Sequence, residues 1–97
     1  MRYKLVNTEE NIQRLKDYGF TVLPYAKHHF YTNWKQEGGK QTVHMIIVDK
    51  ITNEITYIID TEERHDDIDI EKIEPMIKKK LNQLLERGVI CSSKSPL

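Results

Sequence analysis

Four histidines, His28, His29, His44 and His65, are the side chains of this sequence best suited to hold a metal ion or to move a proton near neutral pH. Their spacing argues against a shared site. His28 and His29 are adjacent, so in a regular strand they point to opposite sides. His29 and His44 fall on one side of the hairpin predicted below, but about four residues apart along it, roughly 13 Å at the rise of a strand. Two imidazoles at that separation cannot share a zinc ion. The run Asp66-Asp67-Ile68-Asp69-Ile70-Glu71 alternates carboxylates as the opening of a calcium loop does. Lys72 stands where that loop needs glycine, and Lys78 where it needs glutamate. Carboxylates ahead of a helix are favoured by the positive end of its dipole without any ion. No metal and no cofactor is predicted.

Nucleophilic catalysis needs a thiol or hydroxyl beside a base. Cys91 lies near the end of the sequence in the polar stretch 91–97, which reads as a frayed tail, and no serine stands in a nucleophile-elbow or phosphate-loop context. No catalytic residues and no enzymatic activity are predicted. Lys78, Lys79 and Lys80, with Arg87, offer phosphate contacts, and a nucleic-acid-binding module using this triplet and exposed aromatics is the alternative function. Three consecutive helical residues, however, spread over about 200° of the helix circumference and do not form one patch.

Fifteen Lys plus Arg balance fifteen Asp plus Glu, so no overall field attracts nucleic acid or anionic lipid. The balance is global and not local: residues 1–50 carry a net +3 and residues 51–97 a net −3. Acid is concentrated from Asp60 to Glu74, a stretch suited to a basic partner protein. One cysteine excludes an internal disulfide, and no apolar run is long enough for a membrane span, so a soluble cytoplasmic protein is expected. Twelve Ile, eleven Lys and one Ala point to AT-rich coding, as in a low-GC bacterium or its phage.

At 97 residues with 38% apolar and 31% charged side chains, the chain fits a single small α+β domain over 1–97. A first helix is predicted from Thr8 to Tyr18, capped by Asn7 and stopped by Gly19, with a narrow apolar stripe of Ile12, Leu15 and Tyr18. Strands rich in aromatic and β-branched residues follow over 29–36, 42–49 and 55–61. Gly38-Gly39 suits a two-residue turn between the first pair, and Asn53 the left-handed position of a longer second turn. A second helix carries Ile70, Ile73, Ile77, Leu81, Leu84 and Leu85, with Asp69 as its cap, Gly88 as its stop, and Pro75 either opening or kinking it. The order α-β-β-β-α resembles the topology of double-stranded RNA-binding domains. Those bring a basic cluster to the start of the last helix, where this chain has Asp69, Glu71 and Glu74.

A two-residue turn sets Trp34 opposite Val43, Tyr31 opposite Ile46 and Phe30 opposite Ile47. One face of the three-stranded meander then collects Phe30, Trp34, Val43, Met45, Ile47 and Ile58, the other Tyr31, Ile46, Val48, Ile55, Tyr57 and Ile59. Both are apolar, so both need cover. The C-terminal helix is predicted to cover one, and the short N-terminal helix or a dimer partner the other. The function that follows is a non-catalytic role through protein contacts, self-association as a homodimer first.

Overall fold

The computed structural model describes residues 2–35, 43–59 and 63–93. In chain order its elements are β1 (Arg2–Leu5), α1 (Glu9–Asp17), β2 (Thr21–Leu23), β3 (Ala26–Lys35), β4 (Val43–Asp49), β5 (Ile55–Ile59), β6 (Glu63–His65), α2 (Pro75–Glu86) and β7 (Ile90–Ser93). The class is α+β, with a five-stranded antiparallel sheet ordered β2-β3-β4-β5-β6 and a separate ribbon of β1 and β7. The predicted meander of three strands is thus the centre of a larger one.

Both helices stop where glycine adopts positive φ, at Gly19 (91°) and Gly88 (72°). After each, the chain turns back on the last helical turn: Phe20 N–H donates to the Leu15 carbonyl and Val89 N–H to that of Leu84. Pro75 opens α2, where its missing N–H costs nothing. The helix starts with Glu74 rather than Asp69 at its cap. Asp69 instead closes the preceding turn, accepting from Glu71 N–H. At α1 the cap is Thr8, whose hydroxyl accepts from Asn11 N–H. Asn7, the predicted cap, donates its amide to the Lys50 carbonyl and the Asn53 side chain, tying the helix entry to the β4–β5 turn. Asn53 takes φ 63°, as its place in that turn requires.

The β3–β4 register differs from the predicted one by a single residue. Phe30 pairs with Val48, Tyr31 with Ile47, Thr32 with Ile46 and Trp34 with His44. The described pairs are therefore offset by one residue from those that a two-residue turn at Gly38-Gly39 sets. Residues 36–42, including Gly38-Gly39, lie outside the described residues, as does the side chain of Trp34. A one-residue slip moves every side chain of a strand to the opposite face. Phe30 consequently joins Ile46, Val48, Ile55, Tyr57 and Ile59, while Tyr31 joins Val43, Met45, Ile47 and Ile58.

The Phe30 side is the core. Phe30, Ile46, Val48, Ile55 and Tyr57 form one buried cluster with Leu15 of α1 and with Ile77, Leu81 and Leu84 of α2. Both helices lie on that side, so of the two covers expected for the other face, α1 or a dimer partner, α1 is not the one. Lys80 of α2 holds α1 there, donating to the Tyr18 carbonyl at 2.9 Å with its ammonium over the Tyr18 ring. Asn11, 5% exposed, donates to the Val6 and Gly88 carbonyls and so joins α1 to the ends of β1 and α2. Residues 90–93 are strand rather than frayed tail: Leu5 pairs with Ile90 and Tyr3 with Ser92, and buried Tyr3, Leu5 and Ile90 complete the core.

Candidate functional site

Burial along β4 alternates strictly. His44, Ile46 and Val48 are buried, whereas Val43, Met45, Ile47 and Asp49 are half-buried on the other side. Cross-strand rows extend this open face over the sheet, with Thr21, Tyr31, Ile47 and Thr56 in one row and Asn33, Met45, Ile58 and Arg64 in the next. Tyr31, Met45, Ile47 and Ile58 form an apolar centre, and exposed Thr21, Asn33 and Arg64 a polar margin. Thr56 is the buried exception, its hydroxyl hydrogen-bonded to the Asp66 carboxylate at 3.2 Å.

On the covered side, His44 and Tyr57 are buried together. His44 Nδ1 and the Tyr57 hydroxyl share a short hydrogen bond, and their rings stack at 5.7 Å between centroids. Burial, helped by the charge of Glu74, pushes the Tyr57 pKa up to about 12, so its hydroxyl stays protonated. His44 Nε2 lies 3.9 Å from the Glu74 carboxylate. Hydroxyl, imidazole and carboxylate thus stand in the order of a proton relay. Tyr57 is only 4% exposed and His44 7%, which leaves no approach for a substrate to the hydroxyl. The arrangement satisfies two buried polar groups.

A second polar grouping lies at the margin of the open face, where β3 begins beside the end of β4. His29 pairs across the strands with Asp49, and His29 Nε2 is 3.2 Å from Asp49 Oδ2. The other carboxylate oxygen accepts from Ile51 N–H at 2.8 Å and Thr52 N–H at 3.2 Å. Burial alone raises the Asp49 pKa, but these hydrogen bonds together with His29 outweigh it and hold the carboxyl below its usual range. His28 does not point away from His29: the two ring centroids are 4.1 Å apart. The strand is irregular there, since Val22 pairs with Phe30 while the next residue, Leu23, pairs with Ala26, leaving residues 27–29 bulged against β2. His29 and His44, by contrast, are on opposite faces. The His29–Asp49 pair was hidden by the one-residue register error, because the predicted pairing sets His29 against Val48. A cross-strand search allowing odd-length connections finds it.

The basic triplet is divided. Lys80 is turned to Tyr18, while Lys78, which also reaches Glu71 at 3.3 Å, and Lys79 line a shallow groove with Pro75, Asn82, Gln83 and Glu86. Of the acidic stretch, Asp66 serves Thr56, Asp69 a turn and Lys72, Glu71 Lys78 and Glu74 His44. Cys91 is exposed on β7. No helix among the described residues is long and apolar enough to cross a membrane. No protein-family model, curated protein or solved structure matches the chain.

Proposed function

We propose that the protein is a non-catalytic binding protein whose first partner is a second copy of itself, docked through the open face of the five-stranded sheet. The observation that carries this reading is the placement of both helices on the Phe30 side, which leaves Tyr31, Met45, Ile47 and Ile58 without a covering helix among the described residues. An apolar centre within a polar margin is the anatomy of an interface. Two-fold pairing of such a face buries it against itself and asks for no complementary patch elsewhere on the molecule. Face-to-face packing of two sheets, about 10 Å apart, is the natural geometry. A net charge of zero offers no long-range repulsion between copies.

Size sets the strength. Five strands at about 4.8 Å spacing and a β4 of seven residues at about 3.4 Å each give a planar footprint on the order of 450 Å². Counted on both copies that is at most roughly 900 Å², below the range of stable interfaces and within that of weak, transient ones, so association no tighter than about micromolar is expected. Sedimentation equilibrium across that range checks it. The apparent mass should rise from 11.5 kDa toward twice that value, and Ile47→Asp should hold it at the lower value without loss of circular-dichroism signal. A concentration-independent 11.5 kDa would overturn the reading.

A further inference from the structure

We infer that His28, His29 and Asp49 form a binding site for one divalent transition-metal ion of the zinc class. One ring nitrogen from each histidine and one Asp49 oxygen lie within 4.8 Å of one another. In a tetrahedral site with bonds of about 2.0 to 2.1 Å, neighbouring ligand atoms stand about 3.3 Å apart. The His29–Asp49 separation of 3.2 Å is already such an edge. Drawing in the remaining member requires a shift of roughly 1.5 Å, within reach of a rotation about the side-chain bonds of half-buried His28.

One feature distinguishes the grouping from an ordinary cross-strand ion pair. The carboxylate is fixed before any ion arrives, because the Ile51 and Thr52 amides hold one oxygen and turn the other to His29. Such outer contacts orient metal ligands and raise affinity. His29 has no such support: its Nδ1 is buried with no hydrogen-bond partner among the described residues, and stays so when Nε2 holds the ion. The donor set decides the class of ion. Two imidazoles and a single carboxylate suit Zn²⁺, Co²⁺, Ni²⁺ or Cu²⁺, whereas Ca²⁺ and Mg²⁺ require more oxygen ligands. Three protein ligands leave a fourth position for water, the pattern of an open site. Nothing here depends on self-association, since all three residues belong to one chain.

Zinc chloride titrated into the untagged full chain by calorimetry, with Co²⁺ absorption as a second readout of geometry, tests the inference. One Zn²⁺ per chain is expected. With three ligands and no partner on His29 Nδ1, the dissociation constant should be on the order of micromolar. His28→Ala and His29→Ala should each weaken binding at least about tenfold. Asp49→Asn should do the same while keeping an oxygen for the Ile51 and Thr52 amides, and His65→Ala should change nothing. Shifts of the His28 and His29 ring protons on adding Zn²⁺ place the ion independently of affinity. Absence of saturable binding below about millimolar, or binding that survives His28→Ala with His29→Ala, overturns the site and leaves His29 and Asp49 as an ion pair alone.

Discussion

The two faces of the central sheet are built from the same strands and from similar residues, yet they meet opposite fates. Phe30, Ile46, Val48, Ile55 and Tyr57 are closed beneath Leu15, Ile77, Leu81 and Leu84, while Tyr31, Met45, Ile47 and Ile58 one position away remain partly open. Hydrophobicity does not distinguish these sets. What does is the supply of helix: α1 has nine residues and a narrow stripe, and Lys80 and Asn11 bind it alongside α2, so that one combined helical layer forms on a single side. An apolar sheet face therefore does not summon its own cover. It receives one only if an element is free to cross to it.

The sharpest test is a pair of neighbouring substitutions. Ile46→Ala should destabilise the fold by about 2 to 5 kcal/mol through lost burial and a cavity, and Ile47→Ala by less than about 1 kcal/mol once the protein is diluted below its association range. Urea unfolding of both variants at two protein concentrations gives the numbers, and equal losses would mean that the faces do not differ.

A somewhat smaller effect separates the covered face by its chemistry. The Tyr57 pKa is raised to about 12 in the folded state, against about 10 in an unfolded chain. Folding thus favours the protonated phenol, a contribution complete below pH 10 and lost as pH rises through the folded value. It amounts to roughly 2 to 3 kcal/mol. Stability of wild type and Tyr57→Phe followed upward from pH 9 should show a steeper decline in the wild type. Parallel curves would sink the assignment.

The smallest effect concerns Thr56, the buried residue among those described on the open side. Thr56→Val keeps the shape and removes the bond to Asp66, and should cost about 1 kcal/mol, since the Asp66 acceptor can turn to water. If Thr56→Val is neutral or stabilising, burial rather than the hydrogen bond holds that position.

Features fixed by a residue's own backbone were legible in the sequence. Gly19, Gly88 and Asn53 adopt positive φ where their types and surroundings require it, and Pro75 opens α2 because it cannot sit further inside. Features fixed by distant pairing were not. The Gly38-Gly39 pair suggests a turn of even length, but the register is decided along seven cross-strand pairs, and the error of one residue exchanged the sets of β4 side chains that Phe30 and Tyr31 share a face with. β7 reads as tail because Cys91-Ser92-Ser93 has no apolar period, and its strand conformation comes from β1 at the far end of the sequence. The histidine and aspartate grouping was hidden for both reasons at once. Its cross-strand member follows from the register, and its His28 member from a strand irregularity that no local pattern announces.

The pairing of β1 with β7 also sets an order of events during synthesis. Residues 2–5 leave the ribosome first, and their partners at 90–93 follow roughly 85 residues later, about 4 to 17 s at ordinary elongation rates. Throughout that interval β1 has only its bridge from Lys4 to Glu54 and the Leu5 N–H bond to the Asn53 carbonyl to hold it, without its β7 partner. The ribbon is therefore a late closure, in which β1 gains its full set of cross-strand bonds only once α2 and the turn at Gly88 have delivered Ile90. A nascent chain stalled before residue 90 should keep β1 open to proteases after α1 and the central strands have become resistant.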